Sequence, residues 1–422
     1  MYKKTVLDNG LKIITVPMEN ANSVTVLILV GTGSKYETKD INGISHFLEH
    51  MFFKGTEKRP NTLKISETID MIGGEYNAFT SKEVTGFYAK VEKSKFDIAL
   101  DWISDIFLNS KFDAEEMERE KGVIIQELNM YLDTPTAYVG ELWETLLYGD
   151  QPAGWRIVGE KETIKSFNRE KLLDYYQSHY SPHNTIVCVA GAIGLNPEEK
   201  IKKYFNRTDK NEINQKTKVK EAQKEPQVLL YNKKTDQTHF CLGVRTFDLF
   251  DQRKYILALL SVILGGNMSS RLFIKVRERN GLAYSIHTSA ESTTDTGYLV
   301  TQAGIDHKNL QKSIELILQE YKDIKDRKIT EKELQKAKDY LKGTTSLSLD
   351  SSDSQASYYA LQELLEKSIL TPEEKFEKVD RISINDIKKI AEEIFVPERL
   401  NLAVIGPVEE SEKKGIKNLL KI

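Results

Sequence analysis

Between residues 44 and 52 the chain reads Ile44-Ser45-His46-Phe47-Leu48-Glu49-His50-Met51-Phe52. Ile44, Phe47, Leu48, Met51 and Phe52 recur at i, i+3, i+4, i+7 and i+8, the spacing of one buried stripe on a helix. At about 100° per residue, His46, Glu49 and His50 gather on the opposite face. Two imidazoles one turn apart reach a single metal ion. A carboxylate between them stands where a general base for metal-activated water belongs. The plain alternative is the polar outer face of an amphipathic helix, which two histidines alone would satisfy. The interleaved glutamate and the strongly apolar opposite face favour the metal site.

Zinc in hydrolases usually takes three protein ligands and a water. A helix is expected over Asp113–Tyr131, opening with Asp113 and Glu116 at capping-box spacing. It carries Glu120 and Glu127 two turns apart, with Val123 and Ile124 read on the same inward face. Inward carboxylates are costly unless paired or metal-bound. In a chain with 63 acidic residues such pairs are common, and spacing alone does not single out Glu127 as the third ligand.

Outward from this site, the two halves of the chain repeat one order of elements. The first half has a strand-like Val24–Val30, helix, Gly73–Ser81 and alternating Val84–Val91. The second has Thr238–Val244, helix from Tyr255, Gly281–Ser289 and Gly297–Gln302. The predicted fold is α+β: two homologous domains, each a mainly antiparallel sheet with helices packed on one face. Residues 206–227, dense in both charges and without aromatics, read as a linker between an N-terminal domain 1–205 and a C-terminal domain 228–422. The start, through Asn9-Gly10, reads as a strand entering a hairpin turn. Helical periodicity also marks about 308–325, 334–347, 354–365 and 384–394.

Composition narrows the function. With 60 basic and 63 acidic residues the formal charge is −3, which argues against an obligate nucleic-acid partner. The longest apolar run, Tyr255–Leu264 with Ser261 inside it, is about half of the ~20 residues a bilayer span requires. No secretory leader is evident. Cys188 and Cys241 lie in apolar runs without metal spacing and read as buried thiols, which makes the cytoplasm the expected compartment.

His46-Phe-Leu-Glu-His50 resembles the inverted zinc motif of the inverzincins. With Leu7–Leu11, Gly73-Gly74, Asn77–Ser81, Val123–Glu127, Leu264–Phe273 and Arg277 through Gly281–Tyr284, nearly the whole chain is similar to the pitrilysin, insulin-degrading enzyme and mitochondrial processing peptidase family, in its single-unit bacterial form. The resemblance implies one Zn2+ per chain on His46, His50 and Glu127, with Glu49 as base and Glu120 supporting the ligands. It also implies that Arg277 and Tyr284, otherwise surface charge and core aromatic, reach the substrate near the scissile carbonyl. Asn77, Ala78, Phe79 and Thr80 match the edge strand on which the family lays its peptide substrate. Phe87, where an aromatic hydroxyl is common, and Asn267, within a glycine run, are mild departures. Family subunits of this size are half-clamshells that pair. A chain carrying both the metal set and the Arg/Tyr set is expected to form a homodimeric zinc endopeptidase that cleaves extended or unfolded peptides in an enclosed chamber. The alternatives are a heterodimer with a homologous subunit and a non-catalytic scaffold.

Overall fold

Lys3–Val6 (β1) and Lys12–Pro17 (β2) form the antiparallel hairpin that the Asn-Gly turn predicts. Gly10 closes it, donating its amide to Leu7 and adopting φ 85°, a conformation that favours glycine. The computed structural model describes residues 2–194, 196–206, 215–326 and 329–422. Residues 207–214 of the expected linker therefore lie outside the described residues.

The first sheet continues with Ser23–Val30 (β3), Glu75–Thr80 (β4), Thr85–Glu92 (β5) and Thr185–Gly191 (β6), in the spatial order β1-β2-β6-β3-β5-β4. The second contains Gln227–Asn232 (β7), Thr238–Arg245 (β8), Ala283–Ser292 (β9), Gly297–Ile305 (β10) and Leu400–Gly406 (β11), ordered β7-β11-β8-β10-β9. Without β1 the two patterns are the same. In each, the first strand pairs in parallel with the last (β2 with β6, β7 with β11), and the remaining pairs are antiparallel. The chain is α+β and duplicated, as its sequence order indicates. Helices Ala114–Asp133, Leu310–Asp326, Glu331–Ser348, Ser352–Leu361 and Ile384–Ile394 lie where the periodicity places them, with ends displaced by a few residues at most.

The two compact units are not contiguous in sequence. One comprises residues 1–129, 155–217 and 347–369; the other comprises 130–154, 218–346 and 370–422. Each therefore takes a helix from the far side of a linear division. In the first unit, Ala356, Tyr359 and Ala360 of Ser352–Leu361 pack on Ile14, Leu27, Leu29, Ile186 and Cys188. Ser352 Oγ also lies 2.8 Å from Thr25 Oγ1. In the second unit, Tyr138, Val139, Leu142 and Trp143 of Pro135–Tyr148 pack on Cys241, Val300, Ala403 and Ile405. This explains why β3, β6, β8 and β11 are almost wholly buried. Helices of the same half cover one sheet face, the exchanged helix covers the central strands on the other, and such strands read as unbroken apolar runs. Cys188 and Cys241 are both buried and free within these layers.

A fragment ending at residue 217 keeps all six strands of the first sheet but leaves the Leu27/Leu29/Ile186 face uncovered. It is expected to be expanded and aggregation-prone, measured by size-exclusion chromatography and near-ultraviolet circular dichroism. A monodisperse fragment with native-like aromatic signals would show the exchanged helix to be dispensable.

Candidate metal centre

The helix Ile44–Met51 presents its two faces as the heptad-like spacing requires. Ile44, Phe47, Leu48, Met51 and Phe52 have no exposure. Phe47 meets Phe167 edge-on at 5.5 Å, and Phe52 meets Phe87 at 4.7 Å. The helix start is fixed by a residue that the sequence reading did not single out. The buried Glu37 carboxylate accepts hydrogen bonds from the amides of Gly43 at 2.8 Å and Ser45 at 2.9 Å. It also accepts one from the Asn42 side chain at 2.9 Å. It thus fills amide donors that a helix start leaves open, in place of a side chain at Gly43. Burial pushes the Glu37 carboxyl above its ordinary range, and these donors oppose the rise. Ser45 Oγ is tied to the Tyr175 hydroxyl at 2.7 Å, which in turn lies 2.8 Å from Thr32 Oγ1.

The second helix, Ala114–Asp133, is capped by Asp113, whose carboxylate accepts from the amides of Glu115 and Glu116. Its inward face is Met117, Glu120, Ile124 and Leu128. Val123, read as inward, is instead 52% exposed in this chain, because it lies a further 100° round from Ile124. Glu120 and Glu127 do turn toward the histidines. His46 Nε2 and His50 Nε2 each stand 3.5 Å from a different oxygen of Glu127. One ligand atom from each of the three residues lies within 4.8 Å of the others.

These contacts are longer than a strong hydrogen bond and suit donors arranged about a shared ion. His50 Nδ1 donates to Glu120 Oε1 at 2.8 Å, which leaves the Nε2 lone pair for a metal. His46 Nδ1 is buried with no hydrogen-bond partner among the described residues, so only its Nε2 has a polar neighbour. Two imidazoles and one carboxylate with an open fourth position are the donor set of a hydrolytic zinc site, and these residues fit the ion.

The charges are matched without it. Burial disfavours charged His50, but the hydrogen bonds it donates to Glu120 and Glu127 outweigh this and push it up to about 9. His46, and then His50, hold the Glu127 carboxyl well below the ordinary range. Burial raises Glu120, yet His50 and Lys54, whose Nζ lies 2.5 Å from Glu120 Oε2, bring it below its usual value. Glu49 is the exception: burial raises it, opposed by the Thr80 hydroxyl, which donates to Oε2 at 2.6 Å.

The family model described as Insulinase (Peptidase family M16) matches residues 12–161, and that of the Peptidase M16 inactive domain matches residues 166–341. The chain is 37% identical to zinc protease YmxG of Bacillus subtilis over 96% of its own length and 98% of that protein. This chain belongs to peptidase family M16. It is also 30% identical to zinc protease SCO5738 of Streptomyces coelicolor, over 97% of this chain and 90% of that one. Among solved structures, a protease from Helicobacter pylori shares the M16 fold with a TM-score of 0.89 at 23% identity, covering 96% of this chain and 99% of that one. A chain of Complex III2 from Candida albicans has a TM-score of 0.83 at 19% identity, covering 100% of each chain.

The other residues expected at an M16 site fall into two places. Asn77, Ala78, Phe79 and Thr80 lie on β4, the edge of the first sheet, with β5 as its strand partner. Phe79 lies across Gly86, where a β-carbon would collide with its ring, so this cross-strand pair requires glycine. Arg277 and Tyr284 belong to the second unit. Arg277 sits in the π-helical turn Phe273–Glu278, its guanidinium 4.8 Å from the Phe273 ring and 5.4 Å from the Tyr284 ring. Tyr284, on β9, is 76% exposed and so is not a core aromatic.

Replacing Glu120 by Gln should weaken zinc binding about 10–100-fold, and His46→Ala should abolish stoichiometric binding, both read by chelator competition. Because metal-free His50 holds a proton up to about pH 9, binding must displace it. Apparent zinc affinity should rise with pH and level off above about 9. Calorimetry in buffers of different ionisation enthalpy should show proton release at pH 7.

Proposed function

We propose that this M16 chain is a zinc-dependent endopeptidase that hydrolyses extended or unfolded polypeptides. The observation that carries the reading is the convergence of His46, His50 and Glu127 beside the half-buried carboxyl of Glu49. A zinc ion held by the first three would lower the pKa of a water in its open position to about 7. Glu49 takes the water proton as the oxygen adds to the scissile carbonyl, then returns it to the amide nitrogen as the C–N bond breaks. A carboxyl raised by burial suits both transfers better than a fully solvated one.

Two features support a polypeptide substrate over a small molecule. β4 is an edge strand, so its main chain is open to an added strand. Strand addition works through backbone hydrogen bonds and tolerates many side chains. Its outward residues Glu75, Asn77 and Phe79 alternate with the half-buried Tyr76, Ala78 and Thr80, the pleat such a ladder needs.

Among the described residues, the second unit carries no equivalent metal set. The helix in the place of Ile44–Met51, Lys254–Gly265, reads Lys-Tyr-Ile-Leu-Ala-Leu-Leu-Ser-Val-Ile-Leu-Gly, with neither histidine nor acid. One zinc per chain follows, and the second unit contributes Arg277 and Tyr284 instead. Because one chain carries both sets, we take the working form to be a homodimer in which the Arg277/Tyr284 pair of one copy serves the metal centre of the other. A fully active monomer in light scattering would refute that arrangement.

Glu49→Gln should retain zinc and lose roughly 10²–10⁴-fold in turnover of a quenched, unstructured peptide. Near-normal turnover in that variant would remove Glu49 from the mechanism. If the zinc-loaded wild type cuts nothing, the chain is a non-catalytic or obligately heterodimeric subunit.

A further inference from the structure

Thr80 ends the edge strand β4, and its hydroxyl reaches out of the strand to Glu49 Oε2 at 2.6 Å, across 31 positions of sequence. Threonine hydroxyls often bond to local backbone; this one goes to a half-buried carboxyl on another element. Its backbone is held on both sides. Thr80 pairs with Thr85 in the β4–β5 ladder, and the following turn is closed by Ser81 N and Ser81 Oγ, both donating to the Val84 carbonyl. That turn is anchored in turn: the amides of Ser34 and Lys35 donate to the carbonyls of Ser81 and Lys82. The buried Lys35 Nζ lies 3.0 Å from Glu83 Oε1. The Thr80 hydroxyl is therefore a fixed donor aimed at a carboxyl on a different element.

We infer that Thr80 is a positioning residue for the base, an inference that rests on the peptidase reading above. Its hydrogen bond occupies Glu49 Oε2 and fixes the carboxyl rotation, so that Oε1 takes the proton from water and later returns it to the leaving nitrogen. Thr80 keeps its own proton throughout. The same residue terminates the strand whose main chain would pair with the substrate. The added strand and the base are thereby referenced to one backbone position, and the distance between them does not depend on a flexible loop. This role differs from that of Asn77, Ala78 and Phe79, which lie earlier in the strand and make no hydrogen bond to the base among the described residues.

The test compares wild type, Glu49→Gln, Thr80→Val, Thr80→Ala and Thr80→Ser on a quenched extended peptide, with bound zinc and thermal unfolding measured for each. A hydrogen bond to a charged group is lost in Thr80→Val, so kcat should fall about 10–100-fold, with KM changed by no more than about twofold and zinc content unchanged. Thr80→Ala should show the same kcat loss, which keeps the test valid if the valine variant does not fold. Thr80→Ser should recover kcat to within about threefold of wild type. Wild-type kcat in Thr80→Val and Thr80→Ala would overturn the inference. So would a loss confined to KM, which would make Thr80 a substrate contact, or loss of zinc, which would make it a support of the metal. A serine variant as impaired as valine would also overturn it, pointing to packing. If wild type is no faster than Glu49→Gln, the peptidase reading itself has failed and this inference falls with it. If wild type exceeds Glu49→Gln while the Thr80 variants match wild type, only the inference fails.

Discussion

Charge matching around Glu127 and Glu120 holds the centre together. Three acidic side chains, two imidazoles and Lys54 are withdrawn from much of the solvent in one place, a costly arrangement unless each charge meets a partner. Glu127 faces both histidines and Glu120 bridges His50 to Lys54, so protonated imidazole can stand in for part of the charge a metal would bring. Glu49 is set apart because its side chain accepts from a neutral hydroxyl, that of Thr80, and desolvation then raises it while Glu120 and Glu127 are lowered. Two kinds of carboxyl, one raised and one lowered, thus arise on two different helices from different partners.

The duplicated fold shows what the chemistry costs in sequence terms. Both sheets share one strand order, and each has its central strands covered on the second face by a helix drawn from outside its own run of sequence. Against the first sheet, the helix after β3 carries His46, Glu49 and His50; the matching helix after β8 is apolar along its length. The same packing problem is solved in both, and only one solution leaves a polar face to bind a metal. The second unit is free to spend its surface differently, and it exposes Tyr284 with Arg277 stacked against it.

Much of this was legible in the sequence, for identifiable reasons. The histidine helix was readable because its apolar stripe and its polar face are both contained in nine residues. Glu127 was not selected by spacing, since whether it faces the histidines depends on how two helices cross, and the inward placement of Val123 failed because it lies about 100° round the helix from Ile124. The duplication was visible in element order, but not the exchange of Ser352–Leu361 and Pro135–Tyr148, because amphipathic periodicity says that a helix has a buried face without naming the sheet that buries it. Glu37 gave no signal at all: it caps a helix from outside the usual capping positions, through a loop conformation that only the folded chain defines. Thr80 was read as part of a substrate strand from the resemblance alone, and no periodicity links it to Glu49.

None of the chemistry-bearing side chains of the first unit sits on a free loop. His46, Glu49 and His50 share one helix, Glu120 and Glu127 another, and Thr80 ends a strand bonded along its length. The helix carrying the histidines is pinned at its start by Glu37, along its apolar face by Phe47 and Phe52, and on its polar face by Glu120 and Thr80. Elements held from three sides have little room to adapt to the shape of a ligand. On the proposed reading, discrimination among substrates cannot then come from the metal centre moulding itself to a side chain. It must come from whether a polypeptide can present an extended backbone to β4 at all, which selects for chains free of competing structure rather than for a sequence.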